Sequence, residues 1–122
     1  MPEKNDKALV IVPTYNEREN VAKIVDAILA QDTRLNVLVV DDGSPDGTGA
    51  IADEIAAQNP RVHALHRPRK MGLGTAYIAG FRWALERDFE FVFEMDADFS
   101  HPPRHLAEFL VAIETADVIL GS

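Results

Sequence analysis

Phe91-Val92-Phe93-Glu94-Met95 is an apolar run that stops at two carboxylates, Asp96 and Asp98. A run this short and apolar reads as a strand buried on both faces, with Glu94 as its one charged exception. Aspartates at its carboxyl end stand where strand becomes loop, and uncompensated they raise each other's pKa. A hard divalent cation removes that cost, because Mg2+ and Mn2+ take oxygen ligands from carboxylates and from substrate phosphates. The plain alternative is a solvated acidic turn, since aspartate is common wherever strands end.

The pattern recurs along the chain. Residues 37–40 are a second apolar run, ending on Asp41-Asp42 and the tight loop Gly43-Ser44-Pro45-Asp46-Gly47. Residues 8–12 are another, ending at Pro13 and followed by Thr14-Tyr15-Asn16-Glu17. Between them the apolar period is helical. Val21, Ile24, Val25, Ile28 and Leu29 mark one helix face, Ile51, Ala52, Ile55 and Ala56 a second, and Leu106, Phe109, Leu110 and Ile113 a later one. Either Asn16 with Glu19 or Thr14 with Glu17 fits a cap for the first helix. Ser44 before Pro45 fits a cap for the next. Residues 61–66 read as a weaker strand nearer an edge, 90–95 as the fourth, and 117–120 as the fifth. Small residues at Ala76, Ala79, Gly80 and Ala84 predict a helix packed closely on a sheet.

Strands alternating with helices predict an α/β fold: a mainly parallel sheet of about five strands with helices on both faces. In such sheets ligands bind outside the carboxyl ends of the strands. Pro13–Glu17, Asp41–Ser44 and Asp96–Ser100 should therefore meet on one rim. Residues 1–7 read as a polar, frayed tail and 8–122 as one domain.

Twelve Lys and Arg against 20 Asp and Glu leave a net charge of −8, which argues against a nucleic-acid partner. There is no cysteine, so thiolate metal sites and disulfides are excluded. The N-terminus lacks the apolar core of a signal peptide, and no stretch approaches the ~18 apolar residues of a membrane span. A cytoplasmic domain is the expectation. His66-Arg67-Pro68-Arg69-Lys70 is the chain's basic cluster, and Arg69 and Lys70 read equally as diphosphate contacts or as a solvated loop.

Four blocks in order carry a family resemblance: Val12-Pro13-Thr14-Tyr15-Asn16-Glu17, Val40-Asp41-Asp42-Gly43-Ser44-Pro45-Asp46-Gly47-Thr48, Gly72-Leu73-Gly74-Thr75-Ala76-Tyr77, and Met95-Asp96-Ala97-Asp98 before Ser100-His101-Pro102. Together they resemble the dolichyl (polyprenyl) phosphate mannosyltransferases, inverting enzymes of the GT-A fold glycosyltransferase family 2. The resemblance implies a Rossmann-like GT-A nucleotide-binding half and a metal-dependent transfer of mannose from GDP-mannose, or another nucleotide-sugar, to dolichyl or polyprenyl phosphate. It implies that Pro13, Tyr15, Glu17, Val40, Asp42, Asp96, Ala97 and Asp98 contact the nucleotide-sugar. It further implies that Asp96 and Asp98 hold Mg2+ or Mn2+, and that Asp98 is the catalytic residue. The acceptor phosphate is anionic near neutral pH and needs no strong general base. Work on a lipid acceptor implies peripheral placement on the cytoplasmic membrane face. Members of the family are longer than this chain, so the acceptor half is expected to be absent and the isolated chain weakly active.

Two other readings compete. Asp96-Ala97-Asp98-Phe99-Ser100 mimics the nucleophile motif of haloacid-dehalogenase-like phosphatases, with Asp96 attacking phosphate. The pair Asp41-Asp42 with a later Asp96 invites comparison with a non-catalytic receiver or nucleotide-binding module. Neither places its acids and lysine where this chain has them.

Overall fold

The computed structural model describes residues 8–87 and 89–97. Four strands and three helices alternate: β1 Ala8–Thr14, α1 Val21–Leu29, β2 Leu35–Asp41, α2 Thr48–Gln58, β3 Val62–His66, α3 Leu73–Leu85 and β4 Phe91–Glu94. All three strand pairings are parallel, in the order β3-β2-β1-β4. The sheet thus has four strands among the described residues rather than about five; the expected fifth, at 117–120, lies outside them, as do the tail at 1–7, Asp98, Ser100 and the last expected helix.

The period-2 geometry of β1 splits its side chains between two cores. Ala8, Val10 and Val12, with Val37 and Val39 of β2, pack against Val21, Ile24, Val25 and Ile28 of α1 and Ala52 of α2. Leu9 and Ile11, with Leu38 and Val40, pack on the other face against Ala76 and Ala84 of α3. Covering both faces is why these strands read as unbroken apolar runs. Each fully buried Leu, Ile or Val contributes roughly 1.5–3 kcal/mol over an exposed one. The small-residue stripe of α3 has a direct cause: a Cβ at Gly80 would lie 2.7 Å from the Ile11 side chain. The bare Cα lets α3 settle on β1.

Several local expectations are corrected. Neither Asn16 nor Thr14 caps α1, which begins at Val21 with Asn20 before it. Ser44-Pro45 does not open α2; the helix starts at Thr48, with Gly47 at φ +91° preceding it. The Thr14 hydroxyl instead donates to Asp41 at the end of β2, and the Ser44 hydroxyl donates to Asp41 and accepts from the Asn16 amide. β4 is half-buried at the edge of the described sheet, not buried on both faces.

The chain steps from β1 to β2 to β3 in one direction, then crosses back so that β4 lies on the far side of β1. This reversal makes β1 the topological switch point, where open parallel sheets form a crevice at their carboxyl ends.

Candidate functional site: the carboxyl rim of the sheet

Register sets what meets at the rim. Pro13 pairs with Val40 and Thr14 with Asp41, while Ile11 pairs with Glu94. The Met95 amide donates to the Ile11 carbonyl at 3.0 Å, carrying the β1–β4 pairing past the strand end. Continued by two residues from Ile11↔Glu94, that register puts Asp96 level with Pro13. The ends of β2 and β4 flank β1, so they stand two strand spacings, about 10 Å, apart. The segments expected to converge therefore do so as far as Asp96. Asp98 is outside the described residues.

The adjacent acids Asp41 and Asp42 do different work. Asp41 is buried and faces inward along the rim. Its Oδ1 accepts from the Thr14 hydroxyl at 2.8 Å and the Ser44 hydroxyl at 2.6 Å, and its Oδ2 accepts from the Ser44 amide at 3.0 Å. It joins the ends of β1 and β2 and has a structural task. Asp42 is 5% exposed and forms a two-pronged ion pair with Arg67. Arg67 Nε lies 2.6 Å from Oδ1 and Nη2 lies 2.8 Å from Oδ2. The Asp42 carboxylate raises the Arg67 pKa further above its usual value, against the opposing effect of burial. Arg67 also reaches the Thr75 hydroxyl at 3.1 Å, and its amide donates to the Asp41 carbonyl at 2.8 Å. Each carboxylate oxygen can accept more than one hydrogen bond, so Asp42 keeps acceptor capacity toward a ligand.

The loop after β3 runs against this pair. A Cβ on Gly43, at φ +69°, would stand 2.8 Å from the Pro68 carbonyl oxygen. Only glycine combines that left-handed backbone with so close a neighbour. Three residues beyond Arg67 comes Lys70, whose Nζ sits 4.9 Å from the centroid of the Tyr15 ring. Tyr15 itself is exposed.

The remaining expected residues are distributed as follows. Pro13 and Glu17 are half-buried at the rim. The Glu17 carboxylate accepts from Asn20 Nδ2 at 3.1 Å. The side chains of Val40 and Ala97 are packed in the two cores, so neither is available to a ligand. Asp96 is half-buried, and the Tyr77 hydroxyl donates to its Oδ1 at 2.9 Å. Among the described residues no basic side chain pairs with Asp96. A carboxylate oriented by a neutral donor, with no cation paired to it among the described residues, fits a hard divalent metal. Among the described residues there is no cluster of three or more acidic, histidine or cysteine side chains that could hold a metal ion.

Sequence reasoning missed Arg67. Its signal was the basic cluster, which drew notice to Arg69 and Lys70 while the arginine that grips the rim stood two residues earlier. It also missed that Ser44, Asp46 and Thr48 bond to the loop after β1. The Asn16 amide donates to Ser44 Oγ at 2.9 Å, the Glu17 amide to Thr48 Oγ1 at 3.0 Å and the Arg18 amide to Asp46 Oδ2 at 3.2 Å. The Thr48 hydroxyl's hydrogen bond, aided by the Thr48 and Arg18 amides, holds the Asp46 carboxyl below the usual carboxylate range. No helix among the described residues is long and apolar enough to cross a membrane.

Known proteins resemble this chain closely. It is 53% identical over 118 residues to the polyprenol monophosphomannose synthase of Mycolicibacterium smegmatis, covering 95% of this chain and 44% of that protein. It is 53% identical over 116 residues to the undecaprenyl-phosphate mannosyltransferase of Micrococcus luteus, covering 95% and 48%. The chain spans about half the length of these curated relatives. The solved structure of the mannosyltransferase PcManGT from Pyrobaculum calidifontis, in complex with GDP-Man and Mn2+, superposes with a TM-score of 0.69 at 33% identity, over 83% of this chain and 30% of that one. The family description "Glycosyl transferase family 2" matches residues 9–122, nearly the whole sequence. With its parallel α/β sheet and acid-lined carboxyl rim, the chain belongs to glycosyl transferase family 2.

Proposed function

We propose that this chain is the donor-binding part of an inverting, metal-dependent glycosyltransferase that transfers mannose from GDP-mannose to a polyprenyl phosphate. The observation that carries the reading is 53% identity, over almost the full chain, to two enzymes named for that class of transfer. The rim supplies the chemistry. The exposed Tyr15 ring offers a face for a nucleobase, and Asp42, fixed by Arg67, accepts hydrogen bonds from base N–H groups. Pro13 and Glu17 border the base, and the main chains at Val40 and Ala97 lie along the same edge. Asp96 and Asp98 would hold Mg2+ or Mn2+, with Asp98 as the catalytic residue. When bound, the cation neutralises charge on the diphosphate leaving group. The chain itself orients the donor and excludes competing contacts, so rate enhancement rests on positioning and charge complementarity. An acceptor phosphate arrives already anionic, so the transfer needs no strong general base at the rim. Because that acceptor is lipid-linked, the reading puts the protein peripherally on the cytoplasmic face of a membrane. Nothing in the fold or among the relatives favours the phosphatase or the nucleotide-sensing module.

A thermal-shift panel of GDP-, UDP- and dTDP-sugars, with and without Mn2+, tests it. GDP-mannose with Mn2+ should stabilise most, by about 2.7 kcal/mol at a hundredfold excess over Kd. Asp96→Asn should remove the metal-dependent part of that shift. Equal shifts for all three nucleotides, or a metal effect that survives in Asp96→Asn, would overturn the assignment.

A further inference from the structure

We infer that Ser44, Asp46 and Thr48 are positioning residues: their side chains clasp the loop after β1 and hold Tyr15 and Glu17 ready for the donor's nucleotide. This rests on the donor site proposed above. The clasp is defined by three consecutive backbone amides, of Asn16, Glu17 and Arg18, donating to Ser44, to Thr48 at the start of α2 and to Asp46. The partners are 28, 31 and 28 residues away in sequence, so no local turn explains them. Asn16 at φ +55° bends the chain at the start of this run, in the left-handed region that asparagine tolerates better than most residues.

The acceptors are themselves fixed. Ser44 Oγ donates to the buried Asp41, and the Thr48 hydroxyl, fully buried, donates to Asp46 Oδ1. Asp46 Oδ1 also accepts from the Thr48 amide at 3.0 Å, while its main-chain carbonyl accepts from Arg18 Nη1 at 3.2 Å. The Ser44 hydroxyl, accepting on one side and donating on the other, passes order from the buried Asp41 to the exposed loop.

Tyr15 has no side-chain hydrogen bond among the described residues, and the Lys70 ammonium lies over its ring. Its pose comes from its neighbours: Thr14 is tied to Asp41 and Asn16 is tied to Ser44. An exposed loop without the clasp would have to be ordered when ligand arrives, which weakens binding without removing any ligand contact.

The test compares wild type, Thr48→Val, Thr48→Ser and Ser44→Ala, all as the 122-residue chain. Amide hydrogen exchange reports the clasp, and calorimetry with GDP and Mn2+ reports the site. Thr48→Val should speed exchange at Asn16, Glu17 and Arg18 and weaken GDP binding about tenfold. Thr48→Ser, which keeps the hydroxyl, should restore both. Ser44→Ala, at a half-buried site, repeats the test where Thr48→Val folds poorly, with faster exchange at Asn16 and weaker binding. Faster exchange with unchanged GDP affinity would overturn the clasp's role while leaving the donor site standing. Failure of wild type to bind GDP would remove the donor site itself, and the positioning role with it.

Discussion

The two sides of the rim are built on different principles. On the side of β1 and β2, the loops are joined by hydrogen bonds that run from Asp41 through Thr14 and Ser44 to the Asn16 amide, and from Asp46 and Thr48 to Glu17 and Arg18. On the other side, the loop after β3 is fastened chiefly by one charged pair, Arg67 with Asp42. Many hydrogen bonds share the work in the first region, and one ion pair carries most of it in the second. The first should lose stability in small steps as contacts are removed. The second should fail when one residue changes. The comparison also separates the paired acids that look identical in sequence: Asp41 is used up inside the fold, while Asp42 keeps a rim position.

Arg67→Met should break the comparison most sharply. It leaves the Asp42 carboxylate, whose side chain is 7% exposed, without its cation. Removing one partner of a buried pair costs about 3–5 kcal/mol. Urea unfolding would measure it, and Arg67→Met with Asp42→Leu should recover most of the loss. A cost below about 1 kcal/mol would place the pair among ordinary surface contacts.

Asp41→Asn probes the other side. It removes the charge and one of two acceptor oxygens that serve Thr14 and Ser44. The expected loss is about 1.5–3 kcal/mol, smaller than for Arg67→Met because the other loop contacts remain. A larger loss than Arg67→Met would invert the contrast between the two regions.

Acid should loosen the clasp by a smaller amount. The folded Asp46 pKa is lowered, first by the Thr48 hydroxyl. Its stabilisation is therefore complete above the unfolded carboxylate value, about 3.9, and is lost as pH falls through the lower folded value. An NMR titration should find Asp46 below the usual range in wild type and moved upward in Thr48→Val. An unmoved midpoint would show that the hydroxyl is not what holds it.

Lys70→Met should change least. The ammonium over Tyr15 is an exposed cation–π contact, and surface changes of this kind stay within about 0.5 kcal/mol. A thermal unfolding shift well beyond that would mean the loop after β3 has a second anchor.

Much of this architecture was legible in the sequence. Apolar residues 8–12 and 37–40 announced buried parallel strands, 91–93 announced a strand that proves half-buried, and Val21, Ile24, Val25 and Ile28 announced the buried face of α1. Those signals are local, because a strand repeats every two residues and a helix every 3.6. The meeting of Pro13, Asp41 and Asp96 on one rim also followed, since strand–helix alternation puts every carboxyl end on the same edge. The helix caps were misread for a related reason. Ser44 and Thr14 have the chemistry of caps, but they had partners across the sheet that no short-range rule could weigh.

The sequence by itself determined the strand and helix faces and the acid-lined edge, because these depend on neighbours a few positions apart. Tertiary structure alone decided that the buried Asp41 ties β1 to β2 and that Arg67 holds the equally buried Asp42. Those partners lie 25 to 31 residues apart in the chain. They meet only once strand order and parallel register are set, and a register slipped by one residue would have paired different side chains.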